Sequence, residues 1–267
     1  MKGQGLINVC GLSSYYGTRQ VLYDIDFSIP HHKVTVIMGV SGCGKSTLLR
    51  HLIGLKPSHP GQLFLGDRDM AKFNERDWSN YHRRIGVLFQ SSALFNSLSV
   101  ADNIAVPLRV HSRLPRETIR IISQIKLHLV GLAAFGDYMP SQLSGGMRKR
   151  AGLARALAMD PEILFVDEPS SGLDPITAAG LDELLVALRD ALGVTIIVVT
   201  HELESAFRIA NQILVLDKGR LLVVGSPQEV QDSKDARVGQ FLKRTADQQH
   251  TDTETYLAAI MGRRSKA

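Results

Sequence analysis

Between residues 39 and 47 the chain reads Gly39-Val40-Ser41-Gly42-Cys43-Gly44-Lys45-Ser46-Thr47. Three glycines, a lysine and a hydroxyl residue at these spacings form the pattern that cradles a phosphate chain. Glycines let backbone N–H groups approach an anion and accept positive φ angles. Lys45 supplies a full positive charge to β- and γ-phosphates, and Ser46 offers a hydroxyl to Mg²⁺. A helix beginning here aims its N-terminal partial charge at the same phosphates. Further along, Ile163-Leu164-Phe165-Val166 leads into Asp167-Glu168-Pro169. Neighbours on a strand point to opposite sides, so the two acids take different work. Asp167 suits the water shell of Mg²⁺, and Glu168 suits a general base for a water molecule. Gln90 and His201 each follow an apolar run, at the strand ends where α/β sheets bind ligands.

Periodicity supplies the elements that must hold these residues. Val34-Thr35-Val36-Ile37-Met38 is a β-branched strand, and 46–53 is a helix with Leu48, Leu49, Leu52 and Ile53 on one side. Strand, glycine loop and helix are the context the phosphate motif requires. Upstream, 6–12 and 21–29 read as strands, the second with Val21, Tyr23, Ile25, Phe27 and Ile29 on one side, and Tyr15-Tyr16-Gly17 reads as the turn between them. A short strand (63–65), a polar helix (77–84) and a buried strand (85–89) follow. From 91 to 160 helical periodicity dominates, with helices at 100–109, 115–130 and 146–159, and this stretch reads as a helical subdomain inserted into a sheet domain. Ser144 is a good N-cap there, and Gly145 and Gly146 open the last helix as a second possible anion site. Ser171-Gly172-Leu173-Asp174-Pro175 turns into a helix at 177–191. The strand 194–200, a helix at 202–210, a hairpin of 213–216 with 221–224 and two short helices near 227 and 238–243 complete the pattern.

With 267 residues, 44% of them hydrophobic, the chain can build one large core or a core with a subdomain. Its formal net charge is +5, with the basic residues spread rather than clustered. The balance alone does not argue for nucleic acid and also suits work near an anionic membrane surface, and composition does not choose between the two. Cys10 and Cys43 alone imply no disulfide framework. Cys43 reads as a small filler in the phosphate loop, and the adjoining helix N-terminus would make its thiol more acidic and more easily alkylated. No window approaches 18 apolar residues, and Met1-Lys2-Gly3-Gln4-Gly5 lacks the apolar core of a signal peptide.

Taken together these motifs resemble the nucleotide-binding subunits of ABC transporters over residues 6–243. Tyr16 matches the aromatic that stacks on adenine, 39–47 the Walker A loop, Gln90 the Q-loop and Leu143-Ser144-Gly145-Gly146-Met147 the signature. Ile163 to Glu168 match Walker B with its catalytic Glu, Ser171 to Asp174 the D-loop, and His201 the switch histidine. Met147 stands where many members carry Gln. The resemblance implies a P-loop NTPase of α/β class: a mixed-sheet ABC ATPase core over 1–244, with an N-terminal antiparallel β-subdomain and the helical insertion. It further implies ATP and Mg²⁺, the latter held by Ser46, Gln90 and Asp167. Catalysis falls to Glu168, His201 and Gln90, and nucleotide binding to Tyr16, Gly39, Ser41 to Thr47, Ser144 to Gly146 and Asp174. Two copies would pair head to tail with two ATP molecules between them.

A finer resemblance rests on 143–150 with Ala154-Arg155-Ala156, on Phe89 to Leu98, and on Asp174-Pro175-Ile176-Thr177. These are similar to the ATPases of MCE-linked lipid transporters of the Mla type, which move phospholipids between bacterial membranes. Expected partners are then an integral membrane permease docking near 90–98, an MCE-domain substrate-binding protein and a small regulatory subunit, at the cytoplasmic face of the inner membrane. An importer ATPase for amino acids or similar solutes is the alternative within the family. A nucleic-acid or ribosome-associated ATPase is disfavoured because the chain has neither a second ATPase unit nor a long coiled insertion. A small-molecule kinase is disfavoured by the signature and by Glu168. In the 245–267 extension, Thr251-Asp252-Thr253-Glu254 fits a capping box ahead of Tyr256, Leu257, Ile260 and Met261 on one helical face. It reads either as a disordered tail or as a short helix that docks on the partner ATPase or on a small regulatory subunit.

Overall fold

The computed structural model describes residues 5–243, so the expected docking helix lies outside the described residues. Two antiparallel strands open the chain, β1 (Ile7–Tyr16) and β2 (Arg19–Ile29). β1 runs on through Tyr15 and Tyr16, which the sequence assigns to the turn. Cross-strand pairing extends to Tyr16 with Arg19 and leaves Gly17 and Thr18 to reverse the chain. The expected alternation of β2 breaks in its middle. Ile25, Phe27 and Ile29 are buried, but Leu22 is buried in place of Val21. The register slips between the Leu12–Ile25 and Ser14–Leu22 pairs, where Asp24 has φ of 50°. An extra residue at this bulge exchanges the faces.

The chain then forms β3 (Val34–Gly39), α1 (Lys45–Leu52), β4 (Leu63–Leu65) and β5 (Arg68–Asp69). α2 (Glu75–Arg84) starts two residues before the expected position because Asn74 and Asp77 form a reciprocal capping box. After β6 (Ile85–Leu88) come α3 (Val100–His111), α4 (Arg116–Leu129) and α5 (Gly145–Ala156). Pro115 is the N-cap residue of α4, just outside the first turn. β7 (Ile163–Asp167), α6 (Pro175–Leu192), β8 (Thr195–Thr200) and α7 (Leu203–Ile209) follow. The described chain closes with β9 (Gln212–Asp217), β10 (Arg220–Gly225), α8 (Pro227–Gln231) and α9 (Ala236–Leu242).

Six strands make the central sheet in the order β10-β9-β3-β8-β7-β6, parallel except for β10. The antiparallel sheet has the order β2-β1-β4-β5. The central strands are apolar at consecutive positions because both of their faces are covered. Val36, Met38, Val166 and Val198 pack with Ile104, Leu108, Ala151 and Leu153 from α3 and α5, and with Leu181 and Leu185 from α6. Ile37, Phe165, Ile197 and Val199 point the other way, onto Leu48, Leu49 and Leu52 of α1 and Ile7, Leu12 and Leu22 of the antiparallel sheet. Each buried Val, Leu, Ile, Met or Phe among these contributes about 1.5–3 kcal/mol. The sheet is thus a plate between two cores, with α1 and the antiparallel sheet on one face and α3, α5 and α6 on the other. Among the described residues no helix is long and apolar enough to cross a membrane.

Candidate nucleotide site

β6, β7, β8 and β3 are consecutive neighbours in the sheet. Four strands spaced about 4.8 Å apart bring their C-terminal loops onto an edge about 14 Å wide. That edge collects Gln90 after β6, Asp167 and Glu168 at the end of β7, His201 after β8 and the 39–45 loop after β3. The sheet topology therefore gathers residues that are far apart in sequence.

The glycines of the loop have separable reasons. A Cβ on Gly39 would lie 2.1 Å from the Leu216 carbonyl oxygen and 2.7 Å from Cys43 Sγ. Gly42 has φ of 79° and open space around its missing Cβ, so its requirement is conformational. Gly44 caps α1 at φ of 112° and contributes no side chain to the helix start, so the first N–H groups of α1 are left for another acceptor. Lys45 is buried, and its Nζ donates to the carbonyls of Gly39 (2.8 Å) and Val40 (3.2 Å). Ser41 and Ser46 are exposed at the mouth of the loop. Open space at Gly42, uncapped N–H groups and an ammonium beneath them fit a phosphate chain.

Cys43 departs from the expected chemistry. Its side chain is buried in the core beside α1. Burial pushes the thiol up, outweighing the opposing charge of Lys45. The filler reading holds, and a helix N-terminus does not make this thiol acidic. Thr47 hydrogen-bonds the Tyr16 phenol, which also accepts from Arg50 Nη1 at 3.1 Å, and both hold that phenol below its usual range. The Lys56 ammonium stands 4.3 Å from the centroid of the half-exposed Tyr16 ring. One face of that ring already carries a cation.

Glu168 does not continue the pleat of β7. Its φ is 45°, so a left-handed turn, rather than strand alternation, separates it from Asp167. Contacts from several parts of the chain hold that conformation. Glu168 N–H donates to the Val199 carbonyl at 2.8 Å, and its own carbonyl accepts from Lys149 Nζ at 3.0 Å. Both carboxylate oxygens lie 2.9 Å from His201 Nδ1. Thr200 Oγ1 accepts from Glu202 N–H at 3.0 Å and donates to Glu168 Oε2 at 3.2 Å. Asp167 is held above the usual carboxylate range by burial and then by the charge of Glu168, against the pull of Lys149 and Lys45.

Lys149 and Thr200 are the two residues of this edge that sequence reasoning passes over. Lys149 lies three and four residues before the buried Gly152 and Leu153, so helical spacing places a lysine on a buried face. That misfit was its signal. The backbone of β8 gives no equivalent sign for Thr200.

Gln90 is exposed and its Nε2 donates to Ser171 Oγ at 3.4 Å. Asp174 spends its carboxylate on its own helix: it accepts from Ile176 N–H (3.1 Å), Thr177 N–H (3.0 Å) and Thr177 Oγ1 (2.6 Å). The signature end of α5 is separate from the 39–45 loop. Ser144 Oγ accepts from Met147 N–H at 3.2 Å, and Gly145 and Gly146 form the first turn. A Cβ on Gly146 would lie 2.4 Å from Thr177 Cγ2. Among the described residues no group of three or more His, Cys, Asp or Glu side chains could hold a metal ion. A few oxygens beside a phosphate chain is the arrangement Mg²⁺ takes when the phosphates supply much of its shell.

A phosphate loop and a Walker-type acid pair on one parallel-sheet edge define a P-loop nucleotide hydrolase. Residues 22–171 match the family described as ABC transporter. The chain is 39% identical over 244 residues to the intermembrane phospholipid transport system ATP-binding protein MlaF of Haemophilus influenzae, across 91% of this chain and 92% of that protein. Its fold is similar to cbiO1 from Clostridium perfringens, part of an ABC transporter complex, with a TM-score of 0.80 and 29% identity over 90% of this chain and 96% of that one. It is also similar to MJ0796, a bacterial ABC transporter cassette solved as a dimer, with a TM-score of 0.75 and 28% identity over 83% of this chain and 98% of that one. This chain belongs to the ABC transporter family and is one of its ATP-hydrolysing cassettes.

Proposed function

We propose that this chain is the ATPase subunit of a transporter that moves phospholipids between bacterial membranes. The observation that carries this reading is the 39% identity to a phospholipid-transport ATP-binding protein over 91% of the chain. Residues 1–244 act as the ATPase unit, with 91–160 as its helical insertion and 245–267 as an extension that docks on a partner.

In this reading Lys45 and the N–H groups of 39–47 bind the triphosphate, and Tyr16 offers its free face to the adenine. Ser46, Asp167 and Gln90 would hold Mg²⁺, which when bound neutralises phosphate charge. Glu168 accepts a proton from the attacking water at its carboxylate, a contribution of about 10²–10⁴-fold for a general base. His201 and Thr200 hold that carboxylate in place, as their hydrogen bonds to Glu168 support. A second copy, paired head to tail, presents Ser144, Gly145 and Gly146 to the same nucleotide.

The permease is expected against a groove of about 560 Å³ lined in part by Ile85, Val87, Phe89, Phe95, Val110 and Met159. Phe95 and Val110 are 51% and 68% exposed there, an apolar display that suits a partner helix. An MCE-domain protein and a small regulatory subunit complete the assembly at the cytoplasmic face of the inner membrane.

Affinity purification from native membranes tests the reading. Co-purification of a permease, an MCE-domain protein and bound phospholipid is expected. A solute-type permease with a periplasmic binding protein would overturn the lipid assignment. For the dimer, Glu168→Gln should lower ATP hydrolysis by about 10²–10⁴-fold and elute as an ATP-dependent dimer. Hydrolysis at an unchanged rate would remove Glu168 from its role.

A further inference from the structure

α5 carries four cationic side chains that donate to backbone carbonyls, and one of them reaches two loops of the nucleotide site. Arg148 bonds Leu143, Arg150 bonds Val130 and Gly180, and Arg155 bonds Ala93 and Ser92. Lys149 Nζ instead donates to the Gln90 carbonyl at 2.5 Å and to the Glu168 carbonyl at 3.0 Å. Its side chain is buried. Burial pulls its pKa down, and Asp167 and Glu168 oppose that pull. A buried ammonium that donates to two carbonyls ties the loops together, because without it the Gln90 carbonyl loses this donor and the Glu168 carbonyl keeps the longer 3.3 Å bond from Ser171 N–H. Glu168 needs that support, since its left-handed backbone is unfavourable on its own.

α5 also begins with Gly145 and Gly146, four and three residues before Lys149. A helix rises about 1.5 Å per residue, so one rigid turn links the signature glycines to this ammonium. We propose that Lys149 is a positioning residue that couples the signature end of α5 to the Gln90 loop and to Glu168 of the same chain. A shift of α5, when its glycines engage the nucleotide bound by a second copy, then moves the backbone that carries the catalytic base. This rests on the head-to-tail reading above. It assigns the coupling between the two ATP sites to one side chain, without any direct contact between that side chain and nucleotide.

The test is Lys149→Met in the full-length protein, beside Lys149→Arg and Lys149→Gln. Lys126→Met serves as control, because Lys126 is a buried lysine of α4 that pairs with Asp160, and neither belongs to the nucleotide site. For Lys149→Met, ATP affinity of the isolated chain stays within about 3-fold while kcat falls about 10- to 100-fold, the size of a small misplacement of catalytic groups. The Hill coefficient for ATP falls toward 1, and Lys149→Arg recovers part of both. Amide exchange in Lys149→Gln rises at 90–93 and 168–171, a readout that survives if the Met variant folds poorly. Lys126→Met lowers the melting temperature and leaves kcat and the Hill coefficient of the folded fraction unchanged. Wild-type kcat and cooperativity in Lys149→Met would overturn the proposal, as would unchanged exchange at both loops in Lys149→Gln. Failure of Glu168→Gln to form an ATP-dependent dimer would instead strike the head-to-tail reading, whatever the Lys149 variants do.

Discussion

α1 and α5 both begin with glycines, and they finish their helix starts in opposite ways. α1 has no side-chain cap, and its first lysine turns back to hold the Gly39 and Val40 carbonyls. α5 is capped by Ser144, which already occupies the Met147 N–H. The first start leaves its donors to a ligand and keeps a cation beneath them. The second is a finished structural end whose glycine lies against Thr177 of α6, and its cation works a turn further in, on the protein's own carbonyls. The two glycine-opened helix starts of this chain are therefore not equivalent. In the proposed reading one binds alone and the other is presented to a second copy.

Breaking the first start should have the largest effect. Lys45→Met removes the charge under the loop, and ATP hydrolysis should fall by at least about 10²-fold, in the range seen when one electrostatic stabiliser is lost. A nucleotide-binding titration should show the loss in the isolated chain. Breaking the second start should leave that titration unchanged. Gly146→Ala forces a Cβ to within 2.4 Å of Thr177 Cγ2. Overpacking of this kind costs about 1–3 kcal/mol, and the ATP-dependent dimer should weaken by a corresponding amount. Thr177→Ser removes the offending methyl and keeps the hydroxyl that Asp174 accepts, so the double variant should recover the dimer.

Two smaller measurements sharpen the contrast. The Cys43 thiol is buried and pushed up in pKa. Folded protein should therefore react with maleimide at Cys43 at least about 10-fold more slowly than at the partly exposed Cys10, since the thiolate is the reactive form. Equal rates would mean that the loop opens. Each helix also buries a titratable side chain beyond its first turn. Lys149 of α5 keeps carboxylates nearby, whereas His51 of α1 has its Nε2 2.8 Å from Ser14 Oγ, and burial lowers its pKa to about 4. Above the ordinary value of 6.5 both folded and unfolded chains hold this His neutral. As pH falls from 6.5 toward 4 the unfolded chain takes up a proton that the folded one refuses. Stability should fall over that window, and melting temperatures of His51→Gln should fall less steeply.

The central strands were legible because a run such as Val34 to Met38 admits little else, and the phosphate loop because its residue types have a chemical reason. Tyr15 and Tyr16 were misread as a turn because aromatic residues next to glycine suit either, and only pairing with β2 decides. The bulge at Asp24 depends on cross-strand register, which no local pattern carries. Glu168 was singled out in the sequence, but its left-handed backbone was not, since Val199, Lys149 and His201 hold that conformation from other parts of the chain. Lys149 itself hid inside a motif chosen for its glycines. Local chemistry reads from sequence, whereas a residue that acts on distant backbone shows itself only through the fold.

Gly39 has a consequence beyond phosphate binding. In a sheet with one wet face, polarity forbids a strand to slide by one residue. β3 is buried on both faces, so Val36 and Ile37 could exchange cores at little cost in polarity. What forbids the slide is steric: the position of β3 opposite Leu216 has no room for any Cβ. Moving Met38 or Val40 into that place would drive a side chain into the β9 backbone. The first glycine of the loop is thus also a registration pin, and a one-residue insertion or deletion in β3 would displace the pin and the phosphate site together.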